Sequence, residues 1–169
     1  AGIFFPQGGQ PSLPQRFYHW AEQFASGNAL VKKQVFSTVG LFDLQFERMR
    51  MGDGEFGMRC YLQGIKSVSN PFAYCEDVKA PEGGLRQMGS WDSLRPTKFF
   101  APRPIPSVNY FMRKYFGSNR TILSLMISLP MSLIPYKLKS NFVLTVMSFV
   151  LIFFLFPLYL YQIIAAWKI

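Results

Sequence analysis

The chain has 169 residues, half of them hydrophobic, 18 of them Phe, and a net charge of +9. That length suits one ordinary domain, and the apolar share exceeds what a soluble domain of this size needs. Two cysteines without metal spacing, Cys60 and Cys75, and a single histidine, His19, argue against zinc centres, Cys/His nucleophiles and a disulfide framework.

Charge is unevenly placed. Residues 1–78 hold seven Lys/Arg and seven acids, whereas the rest hold eleven Lys/Arg against Glu82 and Asp92, so the whole +9 lies there. A basic half beside an apolar tail points to an anionic membrane surface or an anionic ligand. Nucleic acid is not expected as a partner, because the basic residues are scattered among prolines and do not line one helix face.

In chain order, "AGIFFPQGGQPSLPQ" lacks the layout of a signal peptide and reads as an irregular segment inside a larger protein, which makes the chain a fragment. Residues 17–25 are aromatic and suit a short helix or an extended piece. Ser26-Gly27-Asn28 is turn chemistry, 29–31 a short apolar strand, and 32–39 a helix stopped by Gly40. "LFDLQFERMRM" reads as a loop with buried aromatics. Residues 54–62 predict a helix with Asp53 as its N-cap and Gly64 at its end. "IKSVSNP" and "FAYCEDV" are strand candidates, and the Gly/Pro/Arg-rich stretch after them is a long loop of the functional kind.

Residues 141–167 carry no charge. At about 1.5 Å per residue they more than cross a hydrocarbon core of roughly 30 Å. Tyr159, Tyr161 and Trp167 gather toward one end, as interface aromatics do. The shorter apolar stretch 121–136, with Pro130 and Pro135, predicts an interfacial helix whose Arg113, Lys114 and Arg120 lie at the headgroups; a re-entrant piece or a first span are the other readings.

The run "GNALVKKQVFSTVGLFDLQFERMRMGDGEFGMRCYLQG" resembles the C-terminal half of the catalytic domain of glycosyltransferase family 2. Its carriers are a Gly-Asn-Ala, a short helix, a Gly-x-Phe-Asp turn, and an acidic motif opening a helix with an Arg one turn on. "VKAPEGGLR" resembles a loop found after that helix, so the likeness covers 26–86. The resemblance implies a partial α/β GT-A fold over 1–110, including the long loop, a basic juxtamembrane region over 111–140 and a transmembrane helix over 141–169. It also implies an inverting sugar transfer from a nucleotide-sugar donor to a glycan or lipid-linked acceptor at the cell inner membrane, with the catalytic part cytoplasmic.

That chemistry needs a carboxylate to take the acceptor proton. Asp53 falls on the position of the family's catalytic base, and a helix N-terminus favours negative charge there. The resemblance also implies a divalent Mg or Mn for the parent enzyme, but this chain has no Asp-x-Asp to hold it. Gly52 replaces the first acid of the family's pair, and the flanking glycines are expected to leave room for an acceptor. Asn28, Gly52, Glu55 and Trp91 are expected at the acceptor, and Arg86 at the diphosphate. Each has a plainer alternative: Asp53 as a helix cap, Glu55 and Arg59 as an i,i+4 pair, Asn28 as a turn residue, Arg86 as a solvated loop residue and Trp91 as a core aromatic. At the level of the chain, the alternative is a non-catalytic, membrane-anchored remnant or interaction module.

Overall fold

The computed structural model describes residues 2–10, 17–21, 24–47, 49–78, 100–133 and 141–168. Two compact units divide the chain, Ala1–Gly84 and Leu85–Ile169.

In the first unit, β1 (Ile3–Pro6) runs parallel to β4 (Tyr74–Asp77), with Ile3 opposite Tyr74 and Phe5 opposite Glu76. Residues 3–6 of the opening segment are thus a strand and not irregular. Its partner lies some seventy residues downstream, and no local pattern announces that pairing. A second pair joins β2 (His19–Trp20) antiparallel to β3 (Val68–Ser69). Within the aromatic stretch 17–25, His19–Trp20 is extended, and a strand forms in each of the two candidates around 65–78. The apolar triplet at 29–31 joins no strand ladder, and Leu30 is fully exposed.

Two helices fill the middle of this unit. α1 (Lys33–Val39) ends at Gly40, whose φ of 82° suits glycine and whose N–H closes onto the Phe36 carbonyl. α2 (Gly52–Leu62) ends in a Schellman turn: the Ile65 N–H bonds to the Cys60 carbonyl and the N–H of Gly64, at φ 71°, to that of Tyr61. Phe56 of α2 is completely buried. The rings of Phe24, Phe36 and Phe42 surround it at centroid distances of 5.2, 5.4 and 4.7 Å. This aromatic cluster is what fixes α2 against α1.

The second unit is helical. α3 (Pro106–Ser132) is two helical pieces, 106–116 and 118–132, joined at Gly117, whose φ of 79° and ψ of 164° break the helix. α4 (Phe142–Trp167) is continuous through Pro157 and capped by the Asn141 side chain, which accepts from the Leu144 N–H. Leu125 and Leu129 of α3 pack with Tyr159 of α4, flanked by Leu133, Ile152, Leu155, Ile163 and Trp167. The stretch 121–132 expected at the interface is thus a helix packed on α4. α4 is long and apolar enough to cross a membrane, and only 11% of its most apolar window is buried in the protein. Phe142, Phe149, Phe153 and Phe154 point into open space.

Candidate active site

The site expected from sequence centres on the first turn of α2. The N-cap there is Met51 and not Asp53. Met51 adopts φ 75°, ψ 4°, a left-handed conformation that costs a non-glycine residue about 1–2 kcal/mol. Its side chain caps nothing, but its carbonyl accepts the Glu55 N–H at 2.7 Å and starts the helix. The helix begins two residues earlier than predicted, so Asp53 stands inside its first turn.

Asp53 is half-buried. Its Oδ1 accepts the N–H of Gly54 at 2.8 Å, and its Oδ2 accepts no hydrogen bond among the described residues. The carboxylate therefore keeps one oxygen available while the other is oriented by the backbone. That is an arrangement suited to taking a proton, given a substrate hydroxyl within about 3 Å.

Glu55, two residues on, is different. Its side chain is wholly buried, and both oxygens accept from Nε of Arg59 at 3.1 and 3.0 Å. Arg59 carries the link outward: Nη2 donates to the Leu41 carbonyl at 2.7 Å and Nη1 to the Val39 carbonyl. Its guanidinium also lies 5.4 Å from the centroid of the Phe56 ring. One side chain thus ties α2 to the end of α1 and the loop after it. The expectation that Glu55 meets an acceptor is corrected, since a side chain with no exposed surface meets none; the i,i+4 pairing is what the structure holds.

The glycines are likewise explained by packing. A Cβ on Gly57 would come within 2.8 Å of the Phe24 Cβ, and one on Gly52 within 3.2 Å of the Phe46 Cβ. Gly52 packs on the side chain of the buried Phe46. Gly54 meets only the flexible end of Met51, at 3.3 Å.

Asn28 ends the turn at Ser26–Asn28. Its Nδ2 donates to the Ala73 carbonyl at 3.3 Å, and its own carbonyl accepts the Gly2 N–H at 2.7 Å. Gly2 leaves no room for a Cβ beside it. Asn28 therefore laces the strands β1 and β4 together, and its hydrogen bonds do not reach α2. Asp43 starts a 3-10 turn by accepting the Gln45 N–H at 2.9 Å. Trp91 and Arg86 lie outside the described residues. Among the described residues no group of three or more His, Cys, Asp or Glu side chains gathers to hold a metal ion.

Sequence reasoning found the Glu55–Arg59 pair from its spacing but missed Arg59's reach to Val39 and Leu41. The signal was present, in that Gly40 ends α1 and leaves its last carbonyls in need of donors. Comparison with family models, with curated proteins and with solved structures finds no match to this chain.

Proposed function

We propose that the chain is the acceptor-side half of a membrane-bound inverting glycosyltransferase, a partial GT-A-like α/β unit followed by a membrane anchor. The observation that carries the reading is Asp53. It is a half-buried carboxylate with a free Oδ2, at the start of a helix held rigid by the Glu55–Arg59 pair and the Phe56 cluster. An acceptor hydroxyl would pass its proton to Oδ2 as its oxygen bonds to the anomeric carbon of a nucleotide-sugar. The nucleoside diphosphate would leave from the opposite face, inverting that carbon. The acceptor is a growing cell-surface glycan or a glycolipid.

In this reading α4 anchors the protein in the cell inner membrane, with the first unit cytoplasmic. The charge-free surface of α4 supports the anchor, and the Lys/Arg excess of the second unit supports the orientation. Extraction of membranes with alkaline carbonate tests the anchor, and release of the chain would refute it. Sugar transfer by the longer protein, with Asp53 intact and replaced, tests the chemistry.

A second reading is a membrane-anchored module without catalysis. It is favoured by the close packing of Gly52 on Phe46 and of Gly57 on Phe24, which accounts for those glycines without a substrate. The two readings part on the consequence of replacing Asp53.

A further inference from the structure

β2 and β3 form an antiparallel ribbon in which His19 stands opposite Ser69 and Trp20 opposite Val68. The Ala21 N–H extends the ladder to the Ser67 carbonyl at 2.9 Å. Side chains alternate between the two faces of such a ribbon. One face is packed into the first unit, where Ser69 is buried and Pro71 completely so. The other face turns outward and holds Tyr18, Trp20, Lys66, Val68 and Phe72. Its members touch: the Lys66 ammonium lies 4.7 Å from the centroid of the Trp20 ring, and the rings of Tyr18 and Phe72 meet edge to face at 6.3 Å.

Tyr18 and Trp20 are each 62% exposed and Phe72 58%, and Val68 opposite Trp20 is exposed as well. A lone apolar side chain on a surface needs no cause, but a contiguous group of them marks a surface that something covers. We propose that this face docks on the headgroup layer of an anionic bilayer, as a second membrane contact of the chain besides α4. The proposal rests on the anchoring by α4 read above and is independent of the transfer chemistry.

The composition of the face fits that layer. Tyr and Trp join an apolar body to a polar tip, and they gather where hydrocarbon meets water. Lys66 is the one charged residue of the five, and its sign is the one that anionic headgroups attract. A sugar is the poorer fit. It would stack on an open, flat ring, whereas an ammonium lies over the ring of Trp20 and the planes of Tyr18 and Phe72 stand at 68° to each other. The contact need not be strong by itself. α4 keeps the chain within reach of a bilayer, and a tethered surface acts at a high effective concentration. Two membrane signals on one chain hold where a single weak one does not.

The full chain in vesicles of phosphatidylcholine and phosphatidylglycerol tests this, with a nitrobenzoxadiazole label on a single cysteine in a Cys60→Ala/Cys75→Ser background. Val68→Cys places the label on the face, and Ser37→Cys places it on the exposed side of α1. The Val68→Cys label should be quenched by spin-labelled lipid and shielded from aqueous iodide, and the Ser37→Cys label the reverse. Adding Tyr18→Ser and Trp20→Ser, both at exposed positions, should return the Val68→Cys label to iodide without moving the melting temperature. A Val68→Cys label open to iodide, in a chain that floats with the vesicles, would overturn the docking face and leave the anchor standing. Shielding from iodide without quenching by lipid would mean that protein covers the face, and would overturn it too. Equal lipid quenching of both labels would be a property of the dye and would also overturn it. A chain that does not float with the vesicles would overturn the anchor and the docking face together.

Discussion

Arg59 holds the buried carboxylate of Glu55 through Nε and Nη2, while Nη1 donates to the carbonyl of Val39 and Nη2 also to that of Leu41. One side chain therefore neutralises a buried charge and joins two helices. Replacing Arg59 by Met would remove the guanidinium from which both oxygens of the wholly buried Glu55 accept, a change that costs about 3–5 kcal/mol. Glu55→Gln keeps the shape and a hydrogen-bonding oxygen and should cost less, about 1–3 kcal/mol. Urea titration of the full chain in detergent, following the first unit, should rank them in that order. Equal, small effects would mean that the pair is ornamental to the fold.

The glycines of α2 give a test of opposite signs. Gly57→Ala gains roughly 1 kcal/mol of helix propensity but pushes a Cβ to within 2.8 Å of Phe24. Overpacking of that kind costs about 1–3 kcal/mol, so the variant should be destabilised. Gly54→Ala meets only the mobile end of Met51 and should be neutral or more stable by about 0.5–1 kcal/mol. Melting temperatures of the two variants read the difference directly.

Burial raises the pKa of the Cys60 thiol above its ordinary value of 9.0, with the Arg59 charge opposing the shift. Because the folded state holds this proton more tightly, the contribution to stability is whole below pH 9 and is lost as pH rises through the raised value. Cys60 is buried and Cys75 half-buried. At pH 8 iodoacetamide should modify Cys75 well before Cys60, and denaturant should bring the two rates together. Equal rates in the native protein would contradict the packing of α2.

How much of this was legible in sequence depended on how local each determinant is. α2 could be read because its acids, its glycine stop and its Glu/Arg spacing lie within thirteen residues. Its start was misplaced by two residues because a Met in the left-handed region has no sequence signature. The strand at Ile3–Pro6 was missed because its partner is distant, and the triplet at 29–31 failed as a strand for want of a partner to pair with. The apolar character of α4 was plain from composition, but its partnership with 103–113 depends on side-chain and backbone contacts that composition does not encode. At the candidate site the acid types were legible, but their division of labour was not. Two carboxylates two residues apart look alike in sequence, and burial separates them into one paired with Arg59 and one with an open oxygen.

The central claim is that Asp53 takes the acceptor's proton, and Asp53→Asn in the longer protein tests it most directly. Asn keeps the size of the side chain and can still accept the Gly54 N–H, so the melting temperature should barely move. Loss of a general base should lower transfer at saturating nucleotide-sugar roughly 10²- to 10⁴-fold, with donor binding unchanged. Transfer within a few-fold of the unmodified protein, beside an unchanged melt, would contradict the account and leave Asp53 as a first-turn residue of α2 and nothing more.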